Sequence, residues 1–282
     1  MQTKVKLFIN IGGTSRSGST LLGQILSNDL KALYTGEMQA VFYPKRIHHF
    51  EIIKDIKSGT SPWKGILKKK ITKLPISIFD AFIDKEFIID SSKNSFWISK
   101  LTSNSARQSI NHKNVLIYKD PKDFAYSILK RGGKNWVSQY ITYHKKYFSN
   151  INDFYVISFT SFVNNKQILK YLCEWLGIKY FEAKYNYWEN TNQGFFGSNT
   201  PNTKREIEYK NDIPTEYIET IEKNLRDNPE INIIWNFLKD NENKVVTSCP
   251  IKFNKIHLNI LEIKNRLKTE YRKINPENYH NN

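Results

Sequence analysis

The stretch from Lys4 to Leu26 constrains this chain more than any other. Leu7 to Ile11 is a short apolar run with β-branched content, as a buried strand requires. Gly12 to Ser19 is small and polar, and Thr20 to Leu26 restores apolar residues at helical spacing. Strand, glycine-bearing loop and helix in that order make an anion-binding device. The loop turns backbone N–H groups inward, and the helix N-terminus adds its partial positive charge. Ser17, Ser19 and Thr20 supply hydroxyls, and Arg16 supplies a permanent cation with a forked donor set. The stretch predicts a cradle for a phosphate or sulfate, built around Gly18.

Further apolar runs at Ala32–Tyr34, Phe87–Asp90, Asn114–Tyr118 and Phe154–Phe159 read as strands. Between them, helical spacing runs over Ile98–Gln108, from Pro121 toward Arg131, over Trp136–Tyr147 and over Asn165–Leu176. Gly132 and Gly177 close two of these helices. Alternating strands and helices predict an α/β, three-layer fold: a mostly parallel central sheet, covered on both faces, with a P-loop-like strand-loop-helix at its start. Trp188 to Lys210 reads as a long loop, and Glu216–Lys223 and Ile231–Leu238 as helices. The expected organisation is one α/β domain over 1–240 and a helical C-terminal extension over 241–282. In the extension, Leu258–Lys273 is a basic amphipathic candidate and 275–282 a frayed tail.

Charge narrows the partners only in part. Lys and Arg number 43 against 27 Asp and Glu, a formal net charge of +16, which favours polyanions without choosing among them. The cluster Lys68-Lys69-Lys70 has no interleaved aromatics and reads as a solvated helix face, so nucleic acid is not the expected partner. Cys173 and Cys249 are too few for a disulfide framework or a metal site, and none is expected. No apolar run approaches the roughly 20 residues of a membrane span, and Met1 to Lys4 leads into a strand, so a cytoplasmic protein is the expectation.

The spacing Gly13-x4-Gly18-Ser19-Thr20 nearly fits the nucleotide-binding P-loop, but Ser19 stands where that motif has its lysine. A P-loop kinase would want that lysine and an acid to help hold magnesium, for which Asp90 is the one candidate. A non-catalytic polyanion-binding protein is the other alternative. The run from Ser15 to Leu22 instead resembles the 5′-phosphosulfate loop of sulfotransferases that use 3′-phosphoadenosine 5′-phosphosulfate (PAPS). A second segment, Val115-Leu-Ile-Tyr-Lys-Asp-Pro-Lys-Asp-Phe-Ala-Tyr-Ser127, resembles their 3′-phosphate-binding stretch, in which a basic residue is followed eight positions later by a serine. Here Lys119 takes the place usually held by arginine, and Ser127 that of the serine. Lysine is a point charge without the arginine fork, so the resemblance carries a weaker grip at that position.

Four shorter matches accompany these. Thr35-Gly-Glu37 resembles the Gly-Glu segment of protein-tyrosine and some bacterial members, whose glutamate is the catalytic base. Ile88-Ile-Asp-Ser-Ser-Lys93 resembles a segment near the substrate cleft of bacterial members. Tyr155–Phe159 resembles the family's Tyr-Glu-x-Leu strand, with Ser158 and Phe159 replacing its tyrosine and glutamate. Gly197–Asn199 with Lys204-Arg205 resembles a late nucleotide-covering loop.

The resemblance implies transfer of a sulfuryl group from PAPS to an acceptor hydroxyl or amine, leaving 3′,5′-adenosine bisphosphate (PAP). Arg16, Ser17, Gly18, Ser19 and Thr20 would hold the 5′-phosphosulfate, and Lys119 and Ser127 the 3′-phosphate. Glu37 would be the general base, with His48, His49 and His112 as alternatives, and Lys93 would polarise the sulfuryl oxygens or pair with Asp90. No metal is implied. The acceptor stays open among carbohydrate, lipid, peptide tyrosine and small molecules.

Overall fold

The chain is described here by a computed structural model covering residues 5–189, 194–197 and 212–249. Six strands form one sheet: β1 (Leu7–Gly12), β2 (Ala32–Gly36), β3 (Phe87–Asp90), β4 (Asn111–Tyr118), β5 (Phe154–Ser158) and β6 (Val245–Val246). Their order across the sheet is β2-β3-β1-β4-β5-β6; the first five run parallel, and β6 pairs antiparallel with β5. From β1 the chain first builds outward to β2 and β3, then returns to the other side of β1 for β4. The crevice between the C-terminal ends of β1 and β4 is therefore the switch point of the sheet, where open α/β folds bind ligands.

The helices follow in chain order as α1 (Ser19–Ser27), α2 (Gln39–Phe42), α3 (Ile47–Ser58), α4 (Trp63–Ile66), α5 (Leu74–Ala81), α6 (Ser95–Arg107), α7 (Pro121–Leu129), α8 (Trp136–Asn150), α9 (Phe159–Asn164), α10 (Lys166–Leu176), α11 (Thr215–Asp227) and α12 (Pro229–Asp240). Strand alternation decides which helices each face receives. Leu7, Ile9 and Ile11 point to α1 and α10, packing with Leu22, Leu26, Leu169 and Leu172. Phe8 points the other way, onto Phe79 of α5 and Trp97 and Leu101 of α6. On that same face Leu116, Phe154 and Val156 meet Phe124 of α7, Tyr140 of α8 and Ile234 of α12. All six residues of β1 are buried, which explains why the run is apolar without alternation. Each fully buried Leu, Ile or Phe contributes roughly 1.5–3 kcal/mol. The three-layer α/β expectation holds.

Local chemistry sets the boundaries. Asp120 accepts from the Lys122 amide at 2.8 Å and Pro121 opens α7, so the helix starts immediately beyond Lys119. The strand expected to reach Phe159 stops at Ser158, whose hydroxyl caps α9. Gly177, at φ 74°, ends α10 with paired bonds back to Cys173 and Glu174. Lys68–Lys70 are exposed as expected, in a turn rather than a helix. Val245 and Val246 extend the main sheet beyond residue 240, while 258–273 and 275–282 lie outside the described residues. No described helix is long and apolar enough to cross a membrane.

One face of α8 buries polar atoms. Trp136 Nε1, Tyr140 OH, His144 Nε2 and Tyr147 OH have no hydrogen-bond partner among the described residues. His144 is 0 % exposed, its Nδ1 lies 2.9 Å from the Tyr140 carbonyl, and burial pulls the imidazole down to about 4. The unfolded chain binds that proton near 6.5, so the contribution is complete above pH 6.5 and is lost as pH falls to 4. A loss of about 3 kcal/mol is expected over that window. The measurement is denaturant unfolding of wild type and His144→Leu at both pH values, in which the variant should be the flatter of the two.

Candidate functional site

Four loops leave the C-terminal edge of four neighbouring parallel strands, and the expected site residues divide among them. Gly13–Gly18 follows β1, Glu37 follows β2, Lys93 follows β3 and Lys119 follows β4. His112 begins β4 at the opposite end of the sheet, which removes it as a base at this edge.

The loop after β1 has the form of an anion cradle. Gly18 precedes α1 at φ 96°, a left-handed backbone that glycine adopts without steric cost, and no side chain caps the first turn. A Cβ there would lie 2.2 Å from the Phe159 ring. Thr14 Oγ1 and Ser17 Oγ are buried without hydrogen-bond partners among the described residues, an arrangement that an anion's oxygens do not satisfy unless they enter the loop. Ser19 and Thr20 open the helix and are buried, and Thr20 hydrogen-bonds the Tyr34 hydroxyl. Arg16 sits at φ 68°, left-handed for a residue with a side chain, a strain of about 1–3 kcal/mol that functional loops often carry.

Phe159 joins this loop to the next. Its ring packs over Gly18, and the Lys119 ammonium stands 4.6 Å from the same ring's centre. The residue that departs from the resemblance thus occupies the space between the two phosphate-binding segments. Lys119 is pulled down to about 8, chiefly by burial; Asp123 opposes the shift, while Lys130, Arg16 and Arg131 add to it. Arg16 is lowered by burial and by Arg131, and Lys130 by burial, Arg131 and Arg16. These four cations therefore lie within electrostatic reach of one another. Lys130 and Arg131 were not identified from the sequence, although they lie three and four positions beyond Ser127 on one helix face. Ser127 is buried at this site; its hydroxyl donates to the Phe124 carbonyl at 2.8 Å, and its own carbonyl accepts from Arg131.

On the other flank, the Lys93 ammonium pairs with the Glu37 carboxylate. Lys93 does not pair with Asp90. That acid is fully buried and accepts from Ser92 Oγ at 2.5 Å and from Trp97 Nε1 at 2.7 Å. Desolvation raises it to about 6, with those donors opposing. Both its oxygens are thus engaged within the β3–α6 segment itself, which leaves little for a magnesium ion. His49 lies within electrostatic reach of Glu37 and is lowered first by burial; its Nδ1 accepts from the Lys45 amide at 3.1 Å. Residues 194–197 cross this flank. Phe195 bonds Thr35 and Glu37 through the backbone, at 3.0 and 2.6 Å, and its carbonyl fills the space beside Gly36 (φ 64°) that a Cβ would take. Gly197 then reaches Thr20. Ser198, Asn199, Lys204 and Arg205 lie outside the described residues.

Beyond Lys119 a cavity of about 560 Å³ opens between β4, β5, α7, α11 and α12. Asp120, Asp123, Glu222 and Glu242 outnumber Lys122 and Lys239 in its lining, Lys122 being paired with Glu222 at 3.1 Å, and Trp235 and Tyr118 add aromatic surface.

No protein-family model and no curated protein matches the chain. Solved structures do. A sulfotransferase domain from the Synechococcus PCC 7002 olefin synthase aligns over 79 % of this chain and 96 % of its own length, with a TM-score of 0.51 at 15 % identity. The chain has the sulfotransferase fold. A sulfotransferase domain from the curacin biosynthetic pathway aligns over 85 % of this chain and 99 % of its own, with a TM-score of 0.49 at 12 % identity. At such identities the likeness concerns the path of the sulfotransferase fold, and the chemistry must be argued from this chain's own side chains.

Proposed function

We propose that the protein is a sulfotransferase that moves a sulfuryl group from PAPS to a hydroxyl or amine of a carbohydrate, lipid or small-molecule acceptor. One observation carries this reading: Arg16, Lys119, Lys130 and Arg131 lie within electrostatic reach of one another, with Phe159 between Lys119 and Gly18, within a sulfotransferase fold and at the switch point of the sheet. Like charges so placed lower one another's affinity for protons, and a ligand with phosphates at both ends of a nucleoside would relieve them.

In this reading the amides around Gly18, with Ser17, Ser19 and Thr20, hold the 5′-phosphosulfate. Arg16 neutralises the phosphate oxygen that takes the electron pair as the S–O bond breaks. Lys119 grips the 3′-phosphate, with Lys130 and Arg131 close by and Ser127 turned toward it on binding. The nucleoside extends from Lys119 toward the cavity, whose carboxylates suit the amino group of adenine and the ribose hydroxyls. Glu37 accepts the acceptor's proton as the new S–O or S–N bond forms. Lys93, exchanged from Glu37 to the sulfuryl oxygens, balances the charge there.

The experiment is incubation of ³⁵S-labelled PAPS with pooled carbohydrate, lipid and phenolic acceptors. Label appearing in an acceptor supports the assignment, and label staying in PAPS or appearing only as inorganic sulfate across every pool rejects it. Glu37→Gln is expected to keep PAP affinity within about threefold while transfer falls by about 10²–10⁴. An undiminished rate would remove Glu37 from the base role.

A further inference from the structure

The hydroxyl of Tyr143, on α8, lies between two loops to which it does not belong. It accepts a hydrogen bond from the Gly13 amide at the head of the β1 loop, and it donates one to the Lys93 carbonyl at 2.9 Å. Those loops carry Arg16 at φ 68° and Lys93 at φ 64°, both left-handed residues with side chains. Such backbone persists only where its surroundings hold it. The Tyr143 ring is itself braced. It stacks on Tyr147 with centroids 6.1 Å apart and meets the His144 edge at 5.4 Å, and Tyr147 is pressed against Gly12. Elsewhere on this helix the Tyr140 and Tyr147 hydroxyls find no partner among the described residues, so a bridging hydroxyl is not a general property of α8. Burial holds the Tyr143 phenol well above its ordinary value, which keeps the proton that the second bond needs.

We propose that Tyr143 is a positioning residue: its hydroxyl ties the Arg16 loop to the Lys93 loop and so fixes the donor cradle relative to the Glu37–Lys93 pair. The kinetic part of this proposal rests on the sulfotransferase reading. Tyr143 touches no reacting atom. Its loss leaves the Gly13 N–H and the Lys93 carbonyl unpartnered and lets the two loops move independently. Donor grip, held largely by Arg16 and Lys119, is then kept, while the in-line approach of acceptor to sulfur is degraded.

The test compares wild type, Tyr143→Phe and Tyr140→Phe as full-length protein. Amide hydrogen exchange over residues 12–20 and 91–95 is measured without ligand, alongside PAPS turnover and thermal unfolding. Tyr143→Phe is expected to speed exchange in both segments together by about tenfold. It is also expected to lower kcat by about ten- to a hundredfold, with KM for PAPS held within about threefold. Tyr140→Phe, which removes a hydroxyl without a partner, should change neither exchange nor kcat. Unchanged exchange in either segment, or the same acceleration in Tyr140→Phe, overturns the proposal. A fall in kcat that merely tracks a matching loss of thermal stability also overturns it. Should wild type transfer nothing, the functional reading fails, and exchange on the ligand-free protein still decides whether Tyr143 couples the loops.

Discussion

Arg16→Ala is expected to lower the rate of sulfuryl transfer by about a hundred- to a thousandfold, the effect of removing one preorganised donor from a developing oxyanion. Arg16 is the only cation between Gly12 and Thr20, and its left-handed backbone is a strain the fold maintains. The charge it meets is small in bound PAPS and grows as the S–O bond breaks, so kcat should fall much more than KM rises. Stability is not expected to suffer, because burial and the neighbouring Arg131 already disfavour the Arg16 charge. Arg16→Lys should recover only part of the rate, since it restores charge without the fork. Steady-state kinetics check this, and a rate within about fivefold of wild type for Arg16→Ala would remove Arg16 from the mechanism.

The second large effect is expected at Lys119. A charge-assisted hydrogen bond contributes about 1.5–3 kcal/mol, so Lys119→Ala should weaken PAP by about ten- to a hundredfold and leave ADP nearly unaffected. The residue also predicts a pH dependence. In the free protein Lys119 loses its proton near 8. The 3′-phosphate favours the charged form, so binding takes up a proton above that pH and PAP affinity falls as pH rises from 8. Below pH 8 the curve should be flat on this account. Lys119→Arg, charged throughout, should extend the flat region upward. Titration calorimetry from pH 7 to 9.5 checks both. Identical pH profiles for wild type and Lys119→Arg would mean that Lys119 does not face the nucleotide.

The layers of the fold were legible because their cause is local. Leu7–Ile11 and Val115–Ile117 are buried on both faces and read as apolar runs, and Asp120-Pro121 marks the start of α7 through its capping chemistry. The two anion-binding loops were legible for the same reason, each being a short pattern between a strand and a helix. Their proximity was not. It depends on β1 pairing with β4, and on Phe159, a residue that looked like a loss against the family pattern and instead packs over Gly18 beneath Lys119. Glu37 and Lys93 were each identified, yet their ion pair spans 56 positions and follows from β2 lying beside β3. Asp90 was open as a partner for Lys93 because nothing local reveals that Ser92 and Trp97 already use it. Tyr143 sits 130 positions from Gly13, and no spacing announces such a contact. Lys130 and Arg131 were readable in principle, by continuing the Ser127 face for one more turn. Val245–Val246 is too short a strand to show any period.

The electrostatic proximity of Arg16, Lys119, Lys130 and Arg131 makes sense if one adenosine nucleotide is held at both of its phosphate ends. Calorimetric binding of 3′,5′-adenosine bisphosphate and of ADP, to the same wild-type protein in the same buffer at pH 7, separates this from other uses of the cations. The bisphosphate is expected to bind about ten- to a hundredfold more tightly, the contribution of one well-made charged contact to the 3′-phosphate. Equal affinities for the two nucleotides would contradict it.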